Sequence, residues 1–585
     1  VVEQVDTQDL KSCDPKGRTG SIPVSGTSIR ATPAPLPLFC VHFANDFCRM
    51  KPLFFLTLVG SLFISRATFA QSALGSKVVS FPDYAGPQMN FLKAIGPVRG
   101  TLYQVACKGL TLSYRNAYIR SLNAAEGKAG GWLPLNLEPF KILDELEDVL
   151  VFNESIWILF SGTNPASKEP WLMATEIDPQ NGNVIGKVQT LCPMVNPRPA
   201  KSSEIPVCKV SPDGRTLMAY QMGLDYFPVA AGGDDRSKVM GMNIGVWTIG
   251  EAESWRKQVV LDDGRNVFDR GQAKVDNQGR VLVNGVMEEG GFGTGSSGKK
   301  EVATLIALWD KGSKIAKIRA NPNNSPNPEF WADWHGKDSI KMATVFFEDR
   351  YKYTMGYATG WWVPARNQMV WKSQHTWLDG FKDQLGWQAS GLGRLGLTFD
   401  QLAAPEEAQV RGIYTVGNGT SWLMIEVRNP RALRDKVESR FKESSLSGFA
   451  ESETEAWKRI YQFAADAPNG VFMIPVDAAL TTGTPYYINR RSYSKLEPER
   501  CITNPIIQDS NPTYLQLEFP EGSSRETPVL VQVSFLEGKW NRKNIQIAGS
   551  EAFDLYINKS DFIPGLGMLV FGVNGAQEWL GIVGF

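Results

Sequence analysis

Histidine and cysteine are the scarce residues of this chain, three and seven among 585. One His (His42) and three Cys (Cys13, Cys40, Cys48) fall within the first 49 residues. That leaves His335 and His375 with Cys107, Cys192, Cys208 and Cys501. No C-x-x-C spacing occurs, so a zinc centre of the usual Cys/His kind is not expected, and no metal or cofactor is implied. Net charge is lacking too. The first seventy residues carry seven of the 61 basic and five of the 61 acidic residues, which leaves 54 Lys and Arg against 56 Asp and Glu. A nucleic-acid ligand, which needs a basic footprint, is thereby not expected. After residue 70 there is no G-x-S-x-G, the strand-to-helix elbow that presents a serine nucleophile. No apolar run reaches the roughly 20 residues that a membrane-spanning helix needs.

What is present begins with an export signal. Residues 50–70 read MKPLFFLTLVGSLFISRATFA, with Lys51 behind Met50, about a dozen apolar residues from Leu53 to Ile64, and small residues Thr68 and Ala70 before a cleavage point. This is the pattern of a secretory signal peptide, and Gln71 after it is no lipidation site. The predicted mature chain starts near Gln71 and has no transmembrane helix. Its localisation is exported: periplasmic, cell-surface or extracellular. The 49 residues in front show neither hydrophobic periodicity nor helix caps, and Ala31–Pro37 alternates proline. Their opening, VVEQVDTQDLKSCDPKGRTGSIPVSGT (Val1–Thr27), resembles a bacterial leucine tRNA gene translated in frame. The resemblance implies that residues 1–49 are not native protein.

Beyond residue 140 one unit recurs: two strands around a tight turn, then a second, looser hairpin. The first hairpins start at Val149 (VLVFNESIWILFSG), Cys208 (CKVSPDGRTLMAYQ), Ala273 (AKVDNQGRVLVNG) and Ile340 (IKMATVFFEDRYKYTMGYATG). The second ones span Leu172–Leu191, Ile244–Leu261 and Ala303–Ala320. About four strands per period of roughly 60 to 70 residues is the size of a propeller blade, which cannot bury both faces alone and must be covered by neighbours. Asn181-Gly182, Asp213-Gly214 and Gln278-Gly279 supply glycine where tight turns need positive φ. SPDGRTL (Ser211–Leu217) resembles the repeat signature of WD40-like propellers, and VDNQGRVLVNG (Val275–Gly285) resembles a degenerate copy. The run Ser211–Lys317 resembles secreted proteins of unassigned function from Bacteroidota. The fold expectation is mainly β: a propeller of four-stranded blades over 71–430, closing into a ring from about residue 90. A helical or mixed linker or insertion (431–500) and a small C-terminal β-domain (501–585) of sandwich type are expected to follow. Helical charge patterns mark Pro430–Ser445 and Ser452–Asp466, the latter opening with a Ser-x-x-Glu start signal.

Four features invite a functional reading. GTGSSGK (Gly293–Lys299) has the glycine and lysine spacing of a phosphate-binding loop. Lys300 stands where Ser or Thr should follow, and EVATLIALW after it reads as a strand, so a loop between blade strands is the better description. His335 and His375 could serve as bases only beside a nucleophile that no motif supplies. Trp331, Trp334, Trp361, Trp362, Trp371, Trp377 and Trp387 crowd one stretch, and tryptophan suits sugar and peptide surfaces. Trp331, Trp334 and His335, in what reads as a polar, Pro-rich connection before Ile340, are the candidate ligand surface. Cys192 and Cys208 flank a Pro-rich loop in a chain addressed to an oxidising compartment and are the candidate disulfide, the alternative being two buried free thiols.

The leading functional expectation is a non-enzymatic binding or scaffold propeller whose partner is a protein, peptide or glycan of the envelope or exterior. An exported hydrolase of glycans or peptides is the second. A surface protein associated with the outer membrane is the third, suggested by the terminal Phe585 in EWLGIVGF, although Asp, Lys and Pro scattered through the strands oppose a lipid-facing barrel. N-terminal sequencing of the native protein is expected to begin at Gln71. A peptide from residues 1–49 recovered from the source organism would overturn that start.

Overall fold

The computed structural model describes residues 89–584 apart from 109–115, 124–127, 138–141, 165, 195–205, 226–238, 253, 260–266, 290–300, 320–328, 348–354, 377–385, 396–406, 416–420, 429–449, 467–468, 490–502, 504, 509–510, 519–528, 547–549, 551–553, 558–561, 564–565 and 575–576. The leader, the signal segment, GTGSSGK, Cys501 and Pro430–Ser445 therefore lie wholly or almost wholly outside the described residues.

Eight antiparallel sheets follow one another along the chain, each built from consecutive strands. The first holds β1 (Met89–Val98), β2 (Thr101–Lys108), β3 (Asn116–Asn123) and the two-residue strands β4 (Lys128–Ala129) and β5 (Leu133–Pro134), both paired with β3. The second is β6 (Ile142–Phe152), β7 (Ser155–Thr163), β8 (Pro170–Ile177) and β9 (Val184–Pro193). The third is β10 (Val207–Val210), β11 (Thr216–Asp225), β12 (Val239–Thr248) and β13 (Trp255–Val259). The fourth is β14 (Val267–Val275), β15 (Val281–Glu289), β16 (Glu301–Asp310) and β17 (Ser313–Arg319). The fifth is β18 (Glu329–His335), β19 (Ser339–Phe347), β20 (Met355–Val363) and β21 (Gln368–Thr376). The sixth is β22 (Glu407–Thr415), β23 (Ser421–Arg428), β24 (Asn469–Val476) and β25 (Tyr486–Asn489), with the helix α1 (Glu451–Asp466) inserted between β23 and β24. The seventh is β26 (Ile506–Gln508), β27 (Asn511–Glu518), β28 (Val529–Leu536) and β29 (Lys539–Ile545). In the eighth, β30 (Asp554–Tyr556) and β31 (Phe562–Ile563) both pair with β32 (Gly567–Asn574), which also pairs with β33 (Gln577–Val583).

The strands read as near-continuous apolar runs because both faces of each sheet are buried. In β11, Leu217 and Ala219 join a core shared with the second sheet, while Met218, Tyr220 and Met222 join one shared with the fourth. In β7, Ile156, Ile158 and Phe160 face the first sheet, and Trp157 and Leu159 face the third. Strand side chains alternate between faces, so every blade presents one set of apolar residues to each neighbour. Eight such cores exist, one for each pair of adjacent sheets. The last of them joins Ala94, Leu102 and Leu122 of the first sheet to Ile563, Leu569, Phe571, Leu580 and Ile582 of the eighth. The sheets therefore close into an eight-bladed β-propeller.

Radial order follows from which strands meet. First strands lie against first strands, β1 with β6, β6 with β10, β10 with β14 and β18 with β22, whereas the fourth strand β9 lies against β11, β12 and β13. First strands therefore line the ring axis. The four first hairpins read from the sequence belong to four different sheets, as expected. Gly182, Gly214 and Gly279 have φ of 73°, 71° and 74°, the left-handed region their turns were expected to need.

Two expectations need correction. The fifth blade begins at Glu329 rather than Ile340: EFWADWH, with its mixed acidic and aromatic residues, is an inner strand and not a connection. The strands expected as a separate C-terminal β-domain are blades seven and eight, whose faces are buried against blades six and one. Of the two readings of residues 431–500, the insertion is the one observed: α1 lies between β23 and β24, and the outer two strands of blade six follow it. Helix formation over Ser452–Asp466 was read correctly. The helix starts at Glu451, where the Glu453 carboxylate accepts the Ala450 N–H at 2.9 Å, half of a capping box. Its apolar stripe places Trp457 and Ile460 in the core between blades five and six.

No strand is exchanged between the first and last blades among the described residues, so side-chain packing closes the ring. Leu569→Ala, at a position 1% exposed in that closing core, is expected to cost about 2–5 kcal/mol of stability in urea unfolding. Ile315→Ala, at an exposed position, should stay within about 0.5 kcal/mol of the parent.

Candidate functional site at the ring axis

Among the described residues the turns between first and second strands lie on one face of the ring, and three consecutive ones are tied together. Asp213 N–H donates to Asn277 Oδ1 of the next blade's turn at 2.9 Å, and Arg280 Nη2 donates to the Lys337 carbonyl of the turn after that at 2.7 Å. Each turn is also braced internally. The Asp276 carboxylate accepts from the Gln278 and Arg280 amides and from the Arg280 guanidinium. The Ser211 hydroxyl donates to Asp213 Oδ1 and accepts the Thr216 amide.

Charged residues of both signs stand on the inner strands, Lys209, Lys274 and Asp333 close to this face and Lys93 and Asp148 further along. Lys93 of β1 pairs with Asp148 of β6 at 2.9 Å, and Lys274 of β14 pairs with Asp333 of β18 at 3.1 Å, each across a blade boundary. Between these pairs Lys209 of β10 is exposed and makes no ion pair among the described residues. Lys341 of β19 reaches blade six, donating to Thr415 Oγ1 at 3.1 Å and lying 3.5 Å from the Ile413 carbonyl. Glu147 of β6, half-buried next to Asp148, adds a further carboxylate, so the charges on the inner strands are of both signs. Burial pulls the Lys274 ammonium below the ordinary lysine range, opposed by Asp333 and assisted by Lys341 and Lys209. Lys341 is lowered by burial as well. Deeper in blade six, Arg411 and Glu426 form a buried ion pair.

Trp331, Trp334 and His335 sit on β18 beside these charges, but not as an open ligand surface. Trp331 is 9% exposed and belongs to the core between blades five and six. The Lys274 ammonium lies 4.4 Å from its ring centroid and that of Lys341 5.7 Å away. Its indole edge closes on the backbone of β22, where a Cβ at Gly412 would come within 3.0 Å of Nε1. Trp334 is half-buried with the Arg280 guanidinium 4.7 Å from its ring centroid. His335 is half-buried as well, and burial with the nearby Lys341 charge keeps its imidazole below the ordinary histidine range and so neutral at neutral pH. The tryptophans hold the protein's own cations. The sequence missed this because β18 looked like a connection.

The lysines were missed although a signal existed. CKVSPDGR and AKVDNQGR place Lys209 and Lys274 at the same repeat position, a charge between two apolar residues just before the turn. From that position Lys274 reaches the inner strand of the next blade.

Cys192 and Cys208 are free thiols, not the expected disulfide. Both are buried in the core between blades two and three. Cys208 sits on the inner strand β10, whereas Cys192 Sγ lies 3.9 Å from the carbonyls of Ala219 and Asn243 on the middle strands β11 and β12. Sharing a core is not sharing the short Cα separation that a disulfide demands. Among the described residues no group of three or more His, Cys, Asp or Glu could hold a metal ion, and no helix is long and apolar enough to cross a membrane.

No family model and no curated protein matches the chain. Among solved structures it is similar to the β-propeller domain of the Trilobed protease from Pyrococcus furiosus, with 10% identity over 79% of this chain and 97% of that one and a TM-score of 0.33. It is also similar to the WD40 domain of SCAP from fission yeast, with 8% identity over 87% of this chain and 98% of that one and a TM-score of 0.35. A third similar structure is prolyl oligopeptidase B from Galerina marginata, with 9% identity over 86% of this chain and 59% of that one and a TM-score of 0.34. At these values the likenesses carry no functional argument.

Burial pushes the Cys192 thiol up to about 12 and raises that of Cys208 as well, so neither forms the reactive thiolate at neutral pH. In the folded protein at about pH 8, iodoacetamide is expected to leave both unmodified, and unfolding should expose both to alkylation. A cross-linked Cys192–Cys208 peptide in an unreduced digest would overturn the free-thiol assignment.

Proposed function

We propose that this chain is an exported propeller that binds rather than cleaves, and that its partner is a protein, peptide or glycan of the bacterial envelope or exterior held at the turn-bearing end of the ring axis. The observation that carries the reading is the lacing of three consecutive turns across blade boundaries, above inner strands whose charged residues of both signs pair from blade to blade. Charged and hydrogen-bonding groups held in a rigid frame attract and orient a ligand without doing chemistry on it. Propellers place binding where loops from several blades meet, and such loops vary without disturbing blade cores. The resemblance of residues 50–70 to a secretory signal peptide supports export.

The test is a screen of the processed chain against arrays of peptides and of glycans, with each ligand recovered afterwards by mass spectrometry. Saturable, reversible binding that weakens with salt is expected, with the ligand recovered intact. Recovery of hydrolysed ligand would replace this reading with that of an exported hydrolase.

A further inference from the structure

We infer that the outer rim of the ring binds a linear acidic polysaccharide, seated on blade seven, where Lys539, Asn541 and Lys543 share one open face. This surface lies at the opposite radius from the axis, so its ligand is independent of whatever the axial turns hold.

First strands line the axis, and the outer strands therefore form the rim. In blades one to seven these carry eleven Lys and Arg, one each on β4, β9 and β21, two on β13 and three each on β17 and β29, and not one Asp or Glu. Blade eight breaks the pattern with Glu578 on β33. The chain as a whole holds equal numbers of basic and acidic residues, so this is a sorting by position. A charged edge discourages strand-to-strand association whichever sign it carries. Protection of the edge thus explains the charge and not the missing acid. Acids of the outer half stand on third strands, as Glu176, Glu301 and Asp310 do, or in turns that they brace. Asp178 accepts from the Gln180 amide and the Asn181 side chain, and Asp477 from the Thr481 amide. The connections between blades carry both signs.

Some rim cations are occupied. Arg256 lies 4.2 Å from the Trp171 ring centroid, Lys372 lies 4.5 Å from that of Trp361, and Arg542 pairs with Glu518. Lys539 and Lys543 make no ion pair among the described residues, and they share the face of blade seven that looks toward blade eight. On that face the cross-strand row of Leu517, Leu530 and Ile545 is buried against blade eight. Toward the turn-bearing end the face turns polar: Gln532 stands opposite Lys543, Ser534 opposite Asn541, and Leu536 opposite Lys539. Lys539, Asn541 and Lys543 are exposed, Gln532 and Ser534 half-buried, and Glu537 stands at the tip of the β28–β29 turn. A face covered throughout would be apolar throughout, so the core ends before these rows.

Ammonium groups act as point charges suited to carboxylates or sulfates, and the Asn541, Gln532 and Ser534 side chains among them suit sugar hydroxyls. Single-stranded nucleic acid stacks its bases on open aromatic faces. Here the Trp171 and Trp361 faces carry the protein's own cations, and Trp540 packs against Trp422 and Phe535. A flat bilayer touches a ring along one arc, whereas the cations stand on the outer strands of six blades, which a flexible chain reaches in succession.

The experiment is fluorescence polarisation with the processed full chain and labelled oligogalacturonates of about 6 and about 20 residues, a neutral dextran, and a single-stranded oligonucleotide of about 20 residues. The longer galacturonate is expected to bind, and the shorter one about tenfold or more weaker because fewer blades are engaged. The dextran is expected not to bind, and the oligonucleotide to bind about tenfold or more weaker than the longer galacturonate. Raising salt from about 50 to about 500 mM should weaken the galacturonate complex about tenfold or more. Lys539→Glu combined with Lys543→Glu should weaken it about tenfold or more, and Lys539→Arg combined with Lys543→Arg should stay within about threefold of the parent. Lys458→Glu, at an exposed position of α1 outside the rim strands, controls for overall charge and should leave affinity unchanged. Unchanged circular dichroism and melting temperature of the blade-seven variants separate loss of binding from loss of fold. Failure of both galacturonates to bind overturns the inference. So does binding that is indifferent to the Lys539 and Lys543 changes or that falls equally with Lys458→Glu. An oligonucleotide bound as tightly as the longer galacturonate overturns the polysaccharide assignment, and equal affinity for the two galacturonates overturns the rim and confines the site to blade seven.

Discussion

Everything in this structure depends on the requirement that a four-stranded sheet with two apolar faces must be covered on both. A lone blade would expose rows of Leu, Ile, Val and aromatic side chains, each worth about 1.5–3 kcal/mol when buried. Only a neighbour on each side removes them from water. The same condition applies to the neighbours, so stacking stops only when the last blade meets the first. The core of Leu102, Leu122, Leu569, Phe571 and Leu580 does this with no shared strand among the described residues. The identity of a blade is thus less a matter of its own hairpins than of the two cores it joins.

The ring also accounts for where the charges are. Outward from the axis a blade is flanked by other blades, and its residues must be apolar. At the axis first strands meet first strands, and the charged side chains there are only partly covered. Lys93, Asp148, Lys209, Lys274 and Asp333 occupy that place, and the ion pairs among them cross from one blade to the next. Trp331 lies at the junction of the two regimes. Its ring belongs to the core with Val410 and Ile413, and it also takes the Lys274 ammonium on its face. A tryptophan that looks like a ligand platform in sequence is therefore a bracket between core and axis.

Blade six shows how much the frame tolerates. A helix and its flanking chain enter between β23 and β24 without breaking the register of that pair, which runs from Ser421 against Val476 to Arg428 against Asn469. The insertion is accommodated because Trp457 and Ile460 add to the core that blades five and six already share. Thr359 Oγ1 of blade five, donating to the Leu480 carbonyl of blade six at 2.7 Å, fastens the same junction.

Hairpins, turns and the helix were legible in the sequence because they rest on local physics. Alternation across a strand, the left-handed preference of Gly214 and Gly279 in their turns, and the apolar stripe of Glu451–Asp466 need no knowledge of distant residues. The apolar character of both faces of β7 and β11 likewise announced that each sheet would be covered twice. What only the tertiary structure decided are the relations between blades. These are that residues 506–583 complete the ring instead of forming a sandwich, that EFWADWH is an inner strand, and that Cys192 and Cys208 share a core without bonding. The meeting of Lys274 and Lys341 at Trp331 belongs with them. A blade face carries no label for its partner, since any apolar face can cover any other. Which faces meet, and which charges are left at the centre, is settled only when all eight close at once.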